Sequence, residues 1–120
     1  MRDFRKYDVW SDGIDLANAI YNLASQFPPD ERFGLSSQMR RAAVSMPSNI
    51  AEGASRKPNL EFSRFIEMAI GSSFDSETQL MIALKRKYLS EQDSASLLGS
   101  LHSLQRRLNA FRTTLFQTPG

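Results

Sequence analysis

Between Leu35 and Ile50 the apolar residues fall at Leu35, Met39, Ala42, Ala43, Met46 and Ile50. Steps of three and four put all of them on one side of an α-helix, whereas no strand register would bury them together. The intervening positions hold Arg40, Arg41, Ser45, Ser48, Asn49 and Glu52. Two readings follow for that polar side. It is a solvated face, or it is a surface that meets a partner.

The same periodicity extends over the chain. Trp10, Ile14, Ala17, Tyr21, Ala24 and Phe27 predict a first helix over 8–27, with Asp8 as N-cap. Pro28-Pro29 ends it, because a residue before proline is pushed out of the helical region. The second helix is expected from Leu35 or Ser36 to Gly53, a residue suited to a helix end. Pro47 lies inside it and denies a donor to the Ala43 carbonyl, which predicts a kink in one helix; two separate helices are the alternative. Phe62, Ile66, Ala69, Ser73, Leu80 and Leu84 mark a third helix from Pro58 to Arg86. Its centre, Gly71-Ser72-Ser73, is poor in helix propensity and lets another helix come close. Ser90-Glu91-Gln92-Asp93 resembles a capping box and opens a fourth helix with Leu97, Leu101, Leu104, Leu108, Phe111 and Leu115 on its stripe. Fraying is expected at Thr118-Pro119-Gly120.

Long helices with short connections predict an all-α fold: an antiparallel up-down-up-down four-helix bundle, helix two kinked at proline. The 120 residues make one domain, 1–120. No segment reaches the roughly 20 apolar residues of a membrane span, and the N-terminus lacks the apolar run of a signal peptide. The expected location is the cytoplasm, with no membrane partner.

Chemistry is conspicuous by its missing parts. The chain has no cysteine and one histidine, His102, beside the leucine stripe of helix four. There is no Glu-x-x-His pair, no nucleophile elbow and no glycine-rich phosphate loop. Neither an enzyme nor a cofactor or metal site is expected.

The net charge is only +2, yet its sign is segregated: residues 65–81 hold three acidic and no basic groups. Cations cluster at Arg40-Arg41, at Arg56-Lys57 with Arg64, and at Lys85-Arg86-Lys87, and helix four adds Arg106, Arg107 and Arg112. Such groups neutralise phosphates without reading sequence, or they pair with carboxylates of the same or another chain. Aromatic residues do not interleave them as a single-strand stacking platform requires.

The stretch DLANAIYNLASQFPPDERFGLSSQMRRAAVSMPSNIAEGASR, followed by EFSRFIEMAIGSS, resembles the 23S rRNA intervening-sequence proteins, a group that includes accessory variability proteins of diversity-generating retroelements. The resemblance covers about Phe4 to Leu89. It implies a four-helix bundle that forms a ring-shaped homopentamer, a basic surface for RNA or DNA, and no catalytic activity. In retroelement members it also implies contact with a reverse transcriptase.

The family signature falls on Phe27-Pro28, Glu31-Arg32, Gly34-Leu35, Gln38, Arg40 to Ala43, Pro47, Asn49 to Gly53 and Gly71-Ser72. Where the family usually has a leucine this chain has Ser76. Where it usually has Leu-Gly-Tyr this chain has Arg86-Lys87-Tyr88.

The expected partners are therefore a second copy of the chain and nucleic acid. Arg56, Lys57, Arg64, Lys85, Arg86, Lys87, Arg106, Arg107 and Arg112 are the candidate nucleic-acid residues. Arg40, Arg41, Asn49, Glu52 and Gly71 are the candidate structural or interface residues. A self-assembling scaffold without a nucleic-acid role is the competing reading.

Overall fold

The computed structural model describes residues 2–117. Four helices account for most of it: α1 (Asp8–Ala24), α2 (Leu35–Ala54), α3 (Asn59–Lys85) and α4 (Glu91–Gln117). Two 3₁₀ turns, Phe4–Lys6 and Pro29–Glu31, precede α1 and α2. No strand occurs among the described residues. The expected fraying at Thr118 to Gly120 lies outside them.

Neighbouring helices run antiparallel. Ser36 of α2 donates to the Ala24 carbonyl of α1, while Gly13 of α1 meets Pro47 of α2. Ser45 of α2 touches Ser72 of α3, and Gly53 abuts Phe62 and Phe65. Glu67 and Glu77 of α3 reach Arg112 and Gln105 of α4. α4 also packs beside α1, so the four helices form a closed four-cornered bundle, 48 × 23 × 19 Å.

α2 is one helix through Pro47, so the alternative of two separate helices falls. Pro47 is buried and its ring faces Gly13, where a Cβ would sit 3.5 Å away. Gly53 has a stricter reason to be glycine. A Cβ there would lie 2.6 Å from the Phe65 Cβ and 2.9 Å from the Phe62 ring, so α3 could not lie this close.

The core is built from Ile20, Met39, Met46, Ile50, Phe62, Ile66, Leu80, Leu101 and Leu108, all essentially inaccessible. Three expectations for α1 need correction. It stops at Ala24, although Phe27 beyond it is still buried. Its inward face is Val9, Gly13, Leu16, Ala17, Ile20 and Leu23, while Ile14 and Tyr21 are exposed. α1 carries apolar side chains on two sides, and periodicity alone has two solutions. Asp8 is not the cap either: Tyr7 holds that position, with no side-chain cap.

The α4 start behaves as expected, since Ser90 Oγ accepts from the Asp93 amide at 3.1 Å. Ser76, in the position where a leucine was expected, is buried with its hydroxyl unpartnered. The core is thinned there.

Candidate nucleic-acid interface

The two cationic clusters beside α3 lie at its opposite ends. The helix has 27 residues, so Arg56-Lys57 and Lys85-Arg86-Lys87 are separated by about 40 Å. They cannot form one patch on a single chain.

At the α3 start, Arg56 and Lys57 are joined by Arg64 further along the helix and by a residue the sequence analysis passed over. The Arg2 guanidinium donates to the Arg56 and Lys57 carbonyls and to the Asn59 side chain. It also stands 4.9 Å from the Phe62 ring centroid. Its approach had no local signal, because fifty residues separate it from this turn. Arg56 stacks over Phe65 and bonds Glu52 at 3.4 Å.

At the other end, α3 closes in a Schellman motif. The Tyr88 amide bonds the Ala83 carbonyl and the Lys87 amide bonds the Leu84 carbonyl, both at 3.0 Å. Lys87 occupies the left-handed position at φ 63°, the one described non-glycine residue with positive φ. Tyr88 donates its hydroxyl to Glu31 at 2.7 Å, and Glu31 also accepts from the Leu35 amide at the α2 start. These bonds, the tyrosine first, hold the Glu31 pKa below its ordinary value. The turn before α2 and the turn after α3 are thus tied through one carboxylate.

The helix-four cations are used differently. Arg107 places both terminal nitrogens 2.6 Å from Asp12 Oδ2 on α1, and Arg112 pairs with Glu67 at 3.4 Å. Arg106 is exposed. Among the described residues Lys57, Arg64, Lys85, Lys87 and Arg106 form no ion pair. His102 contacts Glu77 at 3.2 Å.

The second set of candidates lies on α2 and α3. Asn49 donates to the Ser45 carbonyl and hydroxyl, and that hydroxyl meets Ser72 at 2.8 Å. Asn49 therefore serves the α2–α3 seam. Arg40 lies over the Tyr21 ring and Arg41 bonds Ser37. Arg41 and Glu52 are both exposed and do not pair with each other. Gly71 faces open space: nothing lies within 4 Å of a Cβ built there.

A family model for the 23S rRNA-intervening sequence protein matches residues 5–110 of this chain. The chain belongs to this family. The chain is also similar to a crystal structure from Bacteroides thetaiotaomicron, described as a protein with unknown function from the S23 ribosomal protein family. The TM-score is 0.81 at 19% identity, covering 87% of this chain and 97% of that one. At that identity the likeness bears on the fold, which it supports as four all-α helices. No curated protein matches the chain. No helix of this intervening-sequence protein is long and apolar enough to cross a membrane, among the described residues.

Proposed function

We propose that this intervening-sequence protein is a non-enzymatic homo-oligomer, a pentamer on the family resemblance, that binds nucleic acid through the cationic ends of its bundles. It acts in the cytoplasm as an accessory to an rRNA intervening sequence or to a retroelement and its reverse transcriptase. The observation that carries the reading is Lys87. A left-handed backbone costs a non-glycine residue roughly 1–2 kcal/mol, while a cation at a helix C-terminus typically returns about 0.3–1 kcal/mol. Helix termination alone therefore favours glycine at this position. A lysine held there against that preference, beside Lys85 and Arg86, supports a role for the charge outside the fold.

Phosphate neutralisation makes a specific demand. Each contact adds about −0.9 to the slope of log affinity against log salt on duplex DNA, and about −0.7 on single strands. Fluorescence anisotropy with labelled RNA and DNA between about 50 and 200 mM salt should show a steep, sequence-independent loss of affinity. Replacing Lys85, Arg86 and Lys87 together by Ala should weaken binding and flatten the slope. Affinity indifferent to salt, or to that triple replacement, overturns the assignment.

The scaffold reading has its own observation. Arg56, Arg107 and Arg112 spend their charge on Glu52, Asp12 and Glu67 inside the chain. Absence of any binding at low salt would favour it.

A further inference from the structure

The outer faces of α2 and α3 carry a charge pattern that the bundle itself uses only at Glu52, which bonds Arg56 just past the end of its helix at 3.4 Å. On α2 the polar ridge runs from Arg41 through Ser45 and Ser48 to Glu52, exposed at all but the half-buried Ser45. On α3 the residues Arg64, Met68, Gly71, Asp75, Thr78 and Ile82 recur at steps of four and three, which puts them on one outward face. All six are exposed.

Arg41 and Glu52 are eleven residues apart, and so are Arg64 and Asp75. Each pair spans about 16 Å along its helix. The register between the helices is set by Ser45 against Ser72. Arg41 lies four residues from Ser45 toward the α2 start, and Asp75 lies three residues from Ser72 in the same direction along the bundle. Glu52 lies seven residues the other way, and Arg64 eight. Opposite charges therefore stand at matched heights on the two ridges: Arg41 with Asp75, and Glu52 with Arg64. They form no ion pair with each other within the chain.

Gly71 lies between the two α3 charges. A glycine inside a helix is less favourable than alanine, and nothing in this chain needs the space it leaves. Met68 and Phe74, each three residues from it, are about half exposed, both at 53%. A bare backbone flanked by apolar side chains suits the close approach of another helix.

We infer that a second copy of this chain docks here, its α2 ridge lying on the α3 face of its neighbour with bundle axes parallel, so that Arg41 meets Asp75 and Glu52 meets Arg64 across the contact. Matched heights mean that the copies are related by rotation without a step along the axis, the condition for closure rather than a growing fibre. The contact specifies how the proposed homo-oligomer is assembled, and it rests on that reading.

Charge reversal tests it. Arg41→Asp and Asp75→Arg each place like charges across every contact, which disfavours it. Each variant alone should lose mass in light scattering at micromolar concentration. The double variant should regain it, because each reversed side chain then meets its opposite. Gly71→Trp projects into open space, so it should keep the wild-type circular dichroism and melting while blocking assembly. Wild-type protein at 13.6 kDa would remove the oligomer itself. Wild-type assembly that persists in both single reversals would leave the oligomer standing and overturn this contact. Single variants that dissociate without recovery in the double variant would also overturn it.

Discussion

Single residues in this bundle are decided by geometry more than by type. Gly53, Gly71 and Lys87 show the range. Gly53 is required because Phe65 lies where its Cβ would go. Gly71 is required by nothing in the chain. Lys87 stands where glycine is the default residue. Lys87→Gly should accordingly raise stability by about 1 kcal/mol, from relief of the left-handed strain less the lost dipole interaction. Urea denaturation reads the gain. The same variant should bind nucleic acid more weakly at low salt, so stability and binding move in opposite directions. A substitution that leaves both unchanged would strip Lys87 of its special place.

At the scale of elements, the start of α2 and the end of α3 are joined by Glu31. Its carboxylate accepts from Tyr88 and from the Leu35 amide, and its folded pKa lies below the ordinary 4.5. Glu77, held by Gln105 and His102 where α3 meets α4, is depressed in the same direction. A depressed carboxylate contributes stability that is complete above its unfolded pKa and is lost as pH falls through the folded value. Urea midpoints should therefore hold near neutral pH and decline below about pH 4.5. Tyr88→Phe removes the larger support of Glu31 and should flatten that decline. An identical acid profile in Tyr88→Phe would place the pH dependence elsewhere. The boundaries around Pro58 and Ser90 were legible, because those residues act locally; the α1 end was not, and Gly53, suited to a helix end, lies inside α2 without a positive φ because it packs against Phe62 and Phe65. The inward side of α1 was not legible either, because Trp10, Ile14 and Tyr21 form as good a stripe as Val9, Leu16, Ile20 and Leu23. Docking on α2 through Gly13 and Pro47 decided between them.

At the scale of the whole molecule, the proposed assembly and the proposed binding would be coupled. One subunit keeps its cationic clusters about 40 Å apart. Parallel copies would gather every Arg56-Lys57 turn on one rim and every Lys85 to Lys87 turn on the other, turning weak single contacts into an avid surface. Arg41→Asp, which lies at neither end, should then lower nucleic-acid affinity along with mass, and Asp75→Arg in the same chain should restore both. Affinity that survives loss of assembly would separate the two properties.

By itself the sequence determined the helices and the absence of familiar catalytic motifs, since three- and four-residue spacing, prolines and caps act over a few residues. It also disclosed the cations, because charge is a property of residue type. Only the tertiary structure decided which cations are already spent, as Arg107 is on Asp12 ninety-five residues away. It alone brought Arg2 to the α3 start, set Lys87 at positive φ and placed Arg41 level with Asp75. These are relations between distant segments, fixed by how helices pack, and no local pattern in a chain encodes them.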